Sequence, residues 1–140
     1  MTDKLFLALM GTNAAHYEQI RKSFDALGLT EGQPKVLYVL LALEGCLQKD
    51  LALACHVRAS TLTVLLQKLE ARGFVQKRPC HAPGGKAARA IYLTPSGREA
   101  AKRIHFTVEE LEERSFQGFS HEEREQLFSL LARVEENLRR

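Results

Sequence analysis

The sequence contains no apolar run long enough to cross a membrane and too few cysteines for a disulfide framework. Its first ten residues hold one lysine and a short apolar stretch, which fits neither a signal peptide core nor a membrane span. The cysteines Cys46, Cys55 and Cys80 are an odd number without an export signal, so we expect free thiols. These absences favour a cytoplasmic protein with no membrane partner. A chain of 140 residues is enough for a single domain.

Motifs for catalysis and for metal binding are also absent from the sequence. It has no nucleophile elbow, no phosphate-binding loop, and no CxxC or HxxxH pair of metal ligands. A zinc site built from Cys80 and His81 is therefore not expected. The sequence favours a binding protein over an enzyme, and it indicates no metal and no cofactor.

Two helices separated by a short break are predicted in the middle of the chain. The first covers Gln48–Ala54, and the break falls around His56. The second covers residues 59–72 and ends at Gly73 as at a helix C-cap. Its apolar residues have the spacing of an amphipathic helix and are Leu62, Leu65, Leu66 and Leu69.

Two short β-compatible runs follow these helices. They cover residues 74–79 and 88–93, and Gly84 and Gly85 between them indicate a hairpin turn. Two helices, a turn and a two-stranded wing make a winged helix-turn-helix. This is a mostly α fold, with α+β character in the wing, whose second helix usually enters the DNA major groove.

Positive charge is concentrated in this motif. Residues 46–93 hold eight basic and two acidic side chains, about +6, whereas residues 1–45 sum to −1 and residues 94–140 to −2. The whole-chain charge of +3 would say little by itself. Its concentration in one motif is typical of a surface that binds phosphate.

Long amphipathic helices flank the motif. We predict helices at 5–27, stopped by Gly28, at 95–116, and from 121 to the end of the chain. Another, strongly apolar helix precedes the motif. The predicted helix starts are capping boxes at Thr30 with Gln33 and at Ser120 with Glu123, and the Thr94-Pro95 pair.

The flanking helices also predict a dimer. A helix of about 20 residues spans roughly 30 Å, more than the small motif can cover. We expect residues 1–30 and 98–140 to form a helical dimerisation region, with residues 31–97 as the DNA-binding lobe. A two-fold dimer would present two recognition helices to one face of DNA. The alternative is a monomer whose terminal helices cap the core.

With these elements in place, the chain resembles the MarR (multiple antibiotic resistance regulator) family of bacterial transcription factors over nearly its whole length. The resemblance rests on five segments: Leu29-Thr30 with Gln33 and Val36-Leu37, Asp50-Leu51-Ala52, residues 60–70, Leu69-Glu70 through Gly73 to Phe74-Val75, and Leu93-Thr94-Pro95-Ser96-Gly97. It implies a homodimer that binds a palindromic operator on double-stranded DNA, usually as a repressor. It also implies release by a small aromatic acid bound between the dimer helices and the DNA-binding lobe, or by cysteine oxidation or zinc.

Three features depart from the family pattern. Arg58 stands where the family commonly has a serine cap, and Ser60 is a candidate for shifting the helix start inward. His56 stands where the family often has glycine, and histidine tolerates the left-handed conformation better than most residues. The wing lacks the usual Asp-x-Arg element, so the arginine for the minor groove is either Arg89 or replaced by Lys86.

The predicted DNA contacts lie on the second helix and the wing. For base reading we assign the amide of Gln67, with apolar contacts to thymine methyl groups; for phosphate we assign the helix start and flanking cations. The helix candidates are Arg58, Ala59, Ser60, Thr61, Thr63, Val64, Gln67 and Lys68, and the wing candidates are Lys86 and Arg89. Alternatively, Val64 packs under the wing, Gln67 is merely solvated, and the wing charges only keep an exposed hairpin soluble.

Candidate sensing residues lie elsewhere. The resemblance places Asn13, His16 and Tyr17 in the effector cleft, with Tyr38 facing them, although these side chains could equally complete a dimer core. Cys80 has basic neighbours that favour thiol reactivity, which leaves a redox-sensing regulator as one alternative. A winged-helix protein-interaction module without specific DNA binding is the other.

Overall fold

The computed structural model describes residues 3–30 and 32–140. Within these ranges, six helices and two strands follow one another, largely as the sequence predicts. In chain order they are α1 (Leu5–Ala26), α2 (Gln33–Leu43), α3 (Gln48–Ala54), α4 (Ala59–Ala71), β1 (Val75–His81), β2 (Ala87–Leu93), α5 (Pro95–Ser115) and α6 (His121–Leu138). No helix in the described ranges is both long and apolar enough to cross a bilayer.

The chain divides into two compact units, Met1–Val108 and Glu109–Arg140. The first unit holds the complete helix-turn-helix and wing, and α5 contributes residues to both units. The core of the first unit is built from leucines of α2, α3 and α4, from β2 and from the start of α5. Its side chains with at most 1% exposure include Val36, Leu37, Leu40, Leu51, Leu62, Leu66, Leu69, Ile91, Ala101 and Ile104.

α1 contacts this core only near its C-terminal end. None of the residues in α1 is buried, and the contacts are made by Phe24 and by Leu27 just beyond the helix. Further towards the N-terminus the apolar stripe is open, and Phe6 is 75% exposed. The amphipathic pattern therefore predicted the helix correctly but identifies a surface that this unit does not cover.

Three helices end in the same hydrogen-bonded turn. The residue after the C-cap has a positive φ in each case: 71° at Gly28, 56° at His56 and 76° at Gly73. At His56, for example, the N–H of Val57 donates to the carbonyl of Ala52 at 3.1 Å, which closes a Schellman turn. The predicted left-handed conformation of His56 is confirmed. It changes the direction of the chain, and α4 begins three residues later, at Ala59.

The wing is a two-stranded antiparallel sheet with a short third partner. Its register pairs Val75 with Leu93 at one end and His81 with Ala87 at the other. Leu47 forms a single antiparallel bridge to Ala90 on the opposite side of β2. The two strands are longer towards the tip than predicted, which leaves a compact turn.

A tight junction joins the end of α4 to the start of α5. The Thr94 hydroxyl donates to the Gly73 carbonyl at 2.6 Å and accepts from the Gly97 N–H at 3.0 Å, so Thr94 caps α5 as predicted. The Thr94 N–H donates to the carbonyl of Phe74 at 3.0 Å. Any Cβ at position 97 would overlap that carbonyl oxygen. Glycine at this position is therefore a requirement of packing.

One of the two predicted capping boxes is wrong. The Thr30 N–H donates to the Gln33 side chain at 3.3 Å, but α2 begins at Gln33 with Gly32 as its N-cap. No side-chain cap bond is made at this start among the residues described. Gly32 has a φ of 89°, and Pro34 occupies the first turn. The interaction holds the loop before α2 rather than capping the helix.

The second unit contains the end of α5 and α6. The capping box of Ser120 and Glu123 is confirmed, with both reciprocal bonds present. Phe116 contacts Phe128 at a ring-centroid distance of 5.4 Å, and the guanidinium of Arg124 lies 4.4 Å from the Phe116 centroid. Large apolar side chains of α6 remain between 37% and 75% exposed, and these are Leu127, Phe128, Leu130, Leu131 and Leu138.

A carboxylate in the first unit binds α5 to the wing. The Glu44 side chain accepts from the Leu93 N–H at 3.0 Å and from the Arg98 guanidinium at 2.6 Å. The Arg98 hydrogen bond is the main cause that holds the pKa of Glu44 below its ordinary value of 4.5, against the opposing effect of burial. The carboxylate form is therefore stabilised by folding.

We predict that Glu44→Gln lowers the free energy of unfolding by about 1 kcal/mol at pH 7, because two bonds to a charged acceptor are weakened and one partner is part-exposed. A lowered pKa stabilises the fold above the unfolded-state pKa, and this contribution disappears as the pH falls through the folded-state pKa. Urea unfolding at pH 7 and pH 3 should show a smaller wild-type advantage at pH 3 than at pH 7. Glu99→Gln, on a side chain 75% exposed, is the control and should change little. An equal loss at both pH values would contradict the assigned ionic role.

Candidate nucleic-acid interface

α4 has a buried face and an open face. Leu62, Leu66 and Leu69 are fully buried and Leu65 is 7% exposed, which directs the opposite side of the helix to the surface. Five predicted contact residues are exposed along that side, namely Ala59, Ser60, Val64, Gln67 and Lys68. The alternative in which Val64 packs under the wing is wrong, because Val64 is 48% exposed.

The start of α4 is polar, basic and incompletely capped. The helix begins at Ala59 with Arg58 as its N-cap, so Ser60 does not shift the start inward. Among the described residues, no side chain caps the first turn of this helix. Arg58, Ser60 and Thr61 are exposed beside N–H groups that lack helical partners. A helix start with these properties favours an anion such as phosphate.

Thr63 is held by the protein itself. Its hydroxyl donates to the Ala59 carbonyl at 3.0 Å and accepts from the Gln48 amide at 3.1 Å. Because the donor of the hydroxyl is used inside the protein, Thr63 cannot donate to a phosphate in this arrangement, and its methyl group remains for an apolar contact. Gln48, which the sequence analysis did not single out, therefore links α3 to the open face of α4. Its position at the start of α3 was visible in the sequence, but its partner was not.

The wing presents two predicted cations near its tip. Lys86 lies in the turn, where its carbonyl accepts from the Ala82 N–H at 2.8 Å, and Gly84 and Gly85 have positive φ values. Arg89 lies on β2 opposite Pro79, and both Lys86 and Arg89 are exposed. Neither side chain makes a hydrogen bond or ion pair within residues 3–30 and 32–140.

Three other cations of the motif are engaged inside the protein. Arg72 donates to the carbonyls of Gly28 at 2.6 Å and Leu27 at 3.3 Å. Lys77 lies 3.8 Å from the carboxylate of Glu70, and its side chain is only 10% exposed. Arg78 lies on the other face of the wing, with its guanidinium 3.9 Å from the centre of the Tyr92 ring. The alternation of β1 therefore places Lys77 and Arg78 on opposite faces of the wing.

The three cysteines are free thiols with different surroundings. Cys55 is buried, and burial raises its pKa to about 11. Burial also raises the pKa of Cys46, which is half-buried. Both thiols are thus poor sources of a reactive thiolate at neutral pH. Cys80 is half-buried on β1, opposite Ala88.

A cleft opens between the C-terminal half of α1 and the start of α2. It has a volume of about 390 Å³, and Asn13, His16 and Tyr17 all line it. Tyr38 lines instead an adjoining apolar cavity of about 120 Å³. Its ring also stacks on that of His105 at a centroid distance of 5.6 Å. The two cavities share the walls formed by Ile20, Phe24, Pro34 and Lys35. Three of the four predicted pocket residues are therefore brought together.

The fold and the open face of α4 define a winged helix-turn-helix protein. A sequence model of the MarR family matches residues 27–84. YybA of Bacillus subtilis (strain 168), an uncharacterized HTH-type transcriptional regulator, is 32% identical over 117 residues, which cover 84% of this chain and 77% of YybA. The chain belongs to the MarR family of transcriptional regulators.

Solved structures share the fold. S. aureus MepR, solved in complex with DNA, superimposes with a TM-score of 0.84 at 20% identity, covering 97% of this chain and 99% of that one. The PcaV regulator of Streptomyces coelicolor, solved with its natural ligand, gives a TM-score of 0.77 at 20% identity, covering 96% and 93%. At these identities the likeness demonstrates the architecture alone.

We predict that Arg58→Ser raises the free energy of unfolding by about 1 kcal/mol, because a serine oxygen at the N-cap of α4 can accept a free backbone N–H. The backbone of Arg58 already has the extended conformation of an N-cap, with φ −70° and ψ 153°. Arg58→Ala is the control, since it removes the same charge without supplying an acceptor. Urea unfolding of the three proteins is the measurement. Equal stability of the serine and alanine variants would contradict the capping argument.

Proposed function

We propose that this protein is a cytoplasmic, homodimeric repressor that binds a palindromic DNA operator and is released by a small aromatic acid. The observation that carries the DNA-binding proposal is the open face of α4 beside the unpaired cations of the wing. The structural similarity to MepR, which was solved with DNA, supports it.

DNA recognition is assigned to two parts of this surface. On α4, the exposed amide of Gln67 can bond adenine, and the Val64 side chain suits a thymine methyl group. At the helix start, the exposed hydroxyls of Ser60 and Thr61 suit phosphate contacts. On the wing, Arg89 suits a narrow minor groove, where the negative potential is enhanced.

The homodimer rests on apolar surface that each unit leaves open. In α1 the exposed large side chains are Leu5, Phe6, Leu7, Leu9, Met10 and Tyr17, and α6 exposes five more. Contiguous apolar surface of this kind marks a protein-protein interface more often than a free surface. A two-fold dimer would place two copies of α4 on half-sites about one helical turn apart, roughly 34 Å.

The α1–α2 cleft is the proposed effector site. Among the lining residues that the structure describes, Tyr17 and Phe24 offer aromatic walls, Arg21 and Lys35 supply two cations, and Asp25 supplies one carboxylate. This composition suits a ring that carries a carboxylate. The structural similarity to PcaV, solved with its natural ligand, supports a ligand-controlled regulator.

The DNA-binding proposal is tested by selecting ligands from a random duplex pool and measuring their affinity at two salt concentrations. We predict enrichment of an inverted repeat with A·T pairs at the positions that α4 reads. Arg89→Ala should weaken binding and reduce the slope of log K against log salt by about 1 per lost phosphate contact.

The matched control is Arg103→Ala on α5. Arg103 is exposed and makes no hydrogen bond or ion pair with any described residue. Its replacement by alanine therefore removes the same charge as Arg89→Ala, but outside the proposed DNA-binding surface. No enrichment above an unselected pool, with equally weak binding of all duplexes, would favour a protein-interaction module.

The effector proposal is tested with benzoate as the probe. We predict that benzoate at millimolar concentration weakens binding to the selected duplex, because its carboxylate is attracted by Arg21 and Lys35. Benzamide, with the same ring and no charge, should be at least about tenfold less effective, as expected when a charge-assisted bond worth about 1.5 kcal/mol or more is lost. Lys35→Ala should reduce the benzoate effect without reducing DNA affinity. Equal potency of benzoate and benzamide would contradict carboxylate recognition.

A further inference from the structure

We infer that Arg72 is a positioning residue that couples the α1–α2 cleft to the recognition helix α4. This inference rests on the proposed function, since it names how occupancy of the cleft would reach the DNA-binding surface. Arg72 is the C-cap residue of α4, and its side chain turns back from DNA to the end of α1.

The contact between Arg72 and α1 has defined geometry. Nη1 donates to the Gly28 carbonyl at 2.6 Å and Nη2 to the Leu27 carbonyl at 3.3 Å, while the guanidinium lies 5.0 Å from the centre of the Phe74 ring. These carbonyls belong to the turn that ends α1, where a helix dipole also favours a cation. One planar side chain therefore binds two successive carbonyls and an aromatic ring, an arrangement that a lysine cannot reproduce fully.

The residues on either side of the turn held by Arg72 belong to the wall of the cleft. Phe24, Asp25, Leu29 and Thr30 line the cleft on either side of Leu27 and Gly28. A ligand that enters between α1 and α2 must press on this segment or order it. Any displacement of the turn changes the distance to Arg72, and Arg72 is fixed to the last turn of α4.

A second contact joins the same wall to the middle of α4. Gly32 lines the cleft, and a Cβ at this position would lie 2.9 Å from Cδ2 of Leu65. The start of α2 is thus packed directly against α4, and a side chain at position 32 would require Leu65 to shift. With Leu65 buried at the middle of α4 and Arg72 at its end, the cleft wall is connected to α4 at two points about two turns apart. Movement of the wall would rotate or shift the helix rather than deform it locally.

The two contacts between the cleft wall and α4 differ in strength. The contact made by Arg72 is the one that can change between conformations. Leu65 is 7% exposed and belongs to the core, so its contact persists in any folded state. The bonds of Arg72 are exposed to water and contribute little net stability, so they can be made or broken at small cost. A contact of this kind can differ between two conformations of the protein, which is what coupling between two sites requires.

The coupling is measured with a double-mutant cycle that needs no effector. Asn13→Trp and, separately, His16→Trp fill the cleft from α1. DNA affinity is measured for the wild type, each filled variant, Arg72→Ala and the combined variants, using a duplex from the selection described above. We expect cleft filling to weaken DNA binding by about fivefold or more in the wild-type background, the lower end of usual coupling, and by less than about twofold with Arg72→Ala.

Two controls separate coupling from loss of charge or of folding. Arg103→Ala removes an arginine outside this contact and should retain the full effect of cleft filling. Arg72→Lys keeps the charge and one donor, and it should restore part of the effect. The readout is a ratio of affinities, so a uniform change in stability or in phosphate attraction does not alter it.

Two results would overturn the inference. One is an equal effect of cleft filling with and without Arg72. The other is no effect of either tryptophan on DNA affinity in the wild-type background, which would show that the cleft and α4 are not linked. Failure of the DNA-binding proposal is distinct, because the wild type alone would then bind the selected duplex no better than an unrelated one.

Discussion

The leucine face of α4 is the constraint on which the rest of the first unit depends. Leu62, Leu66 and Leu69 are fully buried, and each contributes about 2 kcal/mol of hydrophobic burial. Because an α-helix repeats every 3.6 residues, burying these positions fixes which side chains point away from the core. Ser60, Val64 and Gln67 are presented to a partner for this reason. The recognition surface is thus a geometric consequence of the core.

The turns around α4 convert this orientation into a fixed position. The left-handed residue His56 ends α3 and directs the chain into α4, and Gly73 ends α4 and directs it into β1. The Gly73 carbonyl then accepts from the hydroxyls of Thr94 and Ser96, so the turn that starts the wing also anchors α5. The two turns bracket α4, and wing and helix are consequently held as one piece.

Much of this architecture follows from the sequence, because local signals and the core agree. Leucine spacing predicted α4, Gly73 its end, and Thr94-Pro95 the start of α5. The predictions of elements were wrong where the structure depends on a contact with a residue distant in the sequence. Nothing in the local pattern reveals that Gly32 must clear Leu65, so the start of α2 was misassigned to a capping box at Thr30.

For the candidate site, too, local features could be predicted and contacts between distant residues could not. Exposure of Gln67 and Val64 follows from helical periodicity and was predictable. The bond between Gln48 and Thr63, 15 residues apart, depends on how α3 crosses α4 and was not. The same holds for Arg72, whose acceptors lie 44 and 45 residues earlier in the chain. Side-chain partners over such separations are set by packing, which a single sequence does not display.

These internal partners change what the charge of the motif means. Of its eight basic side chains, Arg72, Lys77 and Arg78 are occupied by carbonyls, a carboxylate and aromatic rings. The cations that make no hydrogen bond or ion pair within the described part of the chain are Lys49, Arg58, Lys68, Lys86 and Arg89. They lie at the starts of α3 and α4, near the end of α4, and on the wing.

The difference between cations with internal partners and cations without them has a physical consequence for DNA binding. A cation that stacks on Tyr92 or binds Gly28 is partly neutralised by its internal partner, so it attracts phosphate weakly. A mobile, hydrated lysine or arginine releases a counterion when it meets phosphate and therefore contributes to affinity. The net charge of the motif therefore suggests more phosphate contacts than the motif can make. The difference is the basic side chains that already have partners inside the protein. The cations engaged inside the lobe therefore connect its helices and its wing instead of adding to its attraction for DNA.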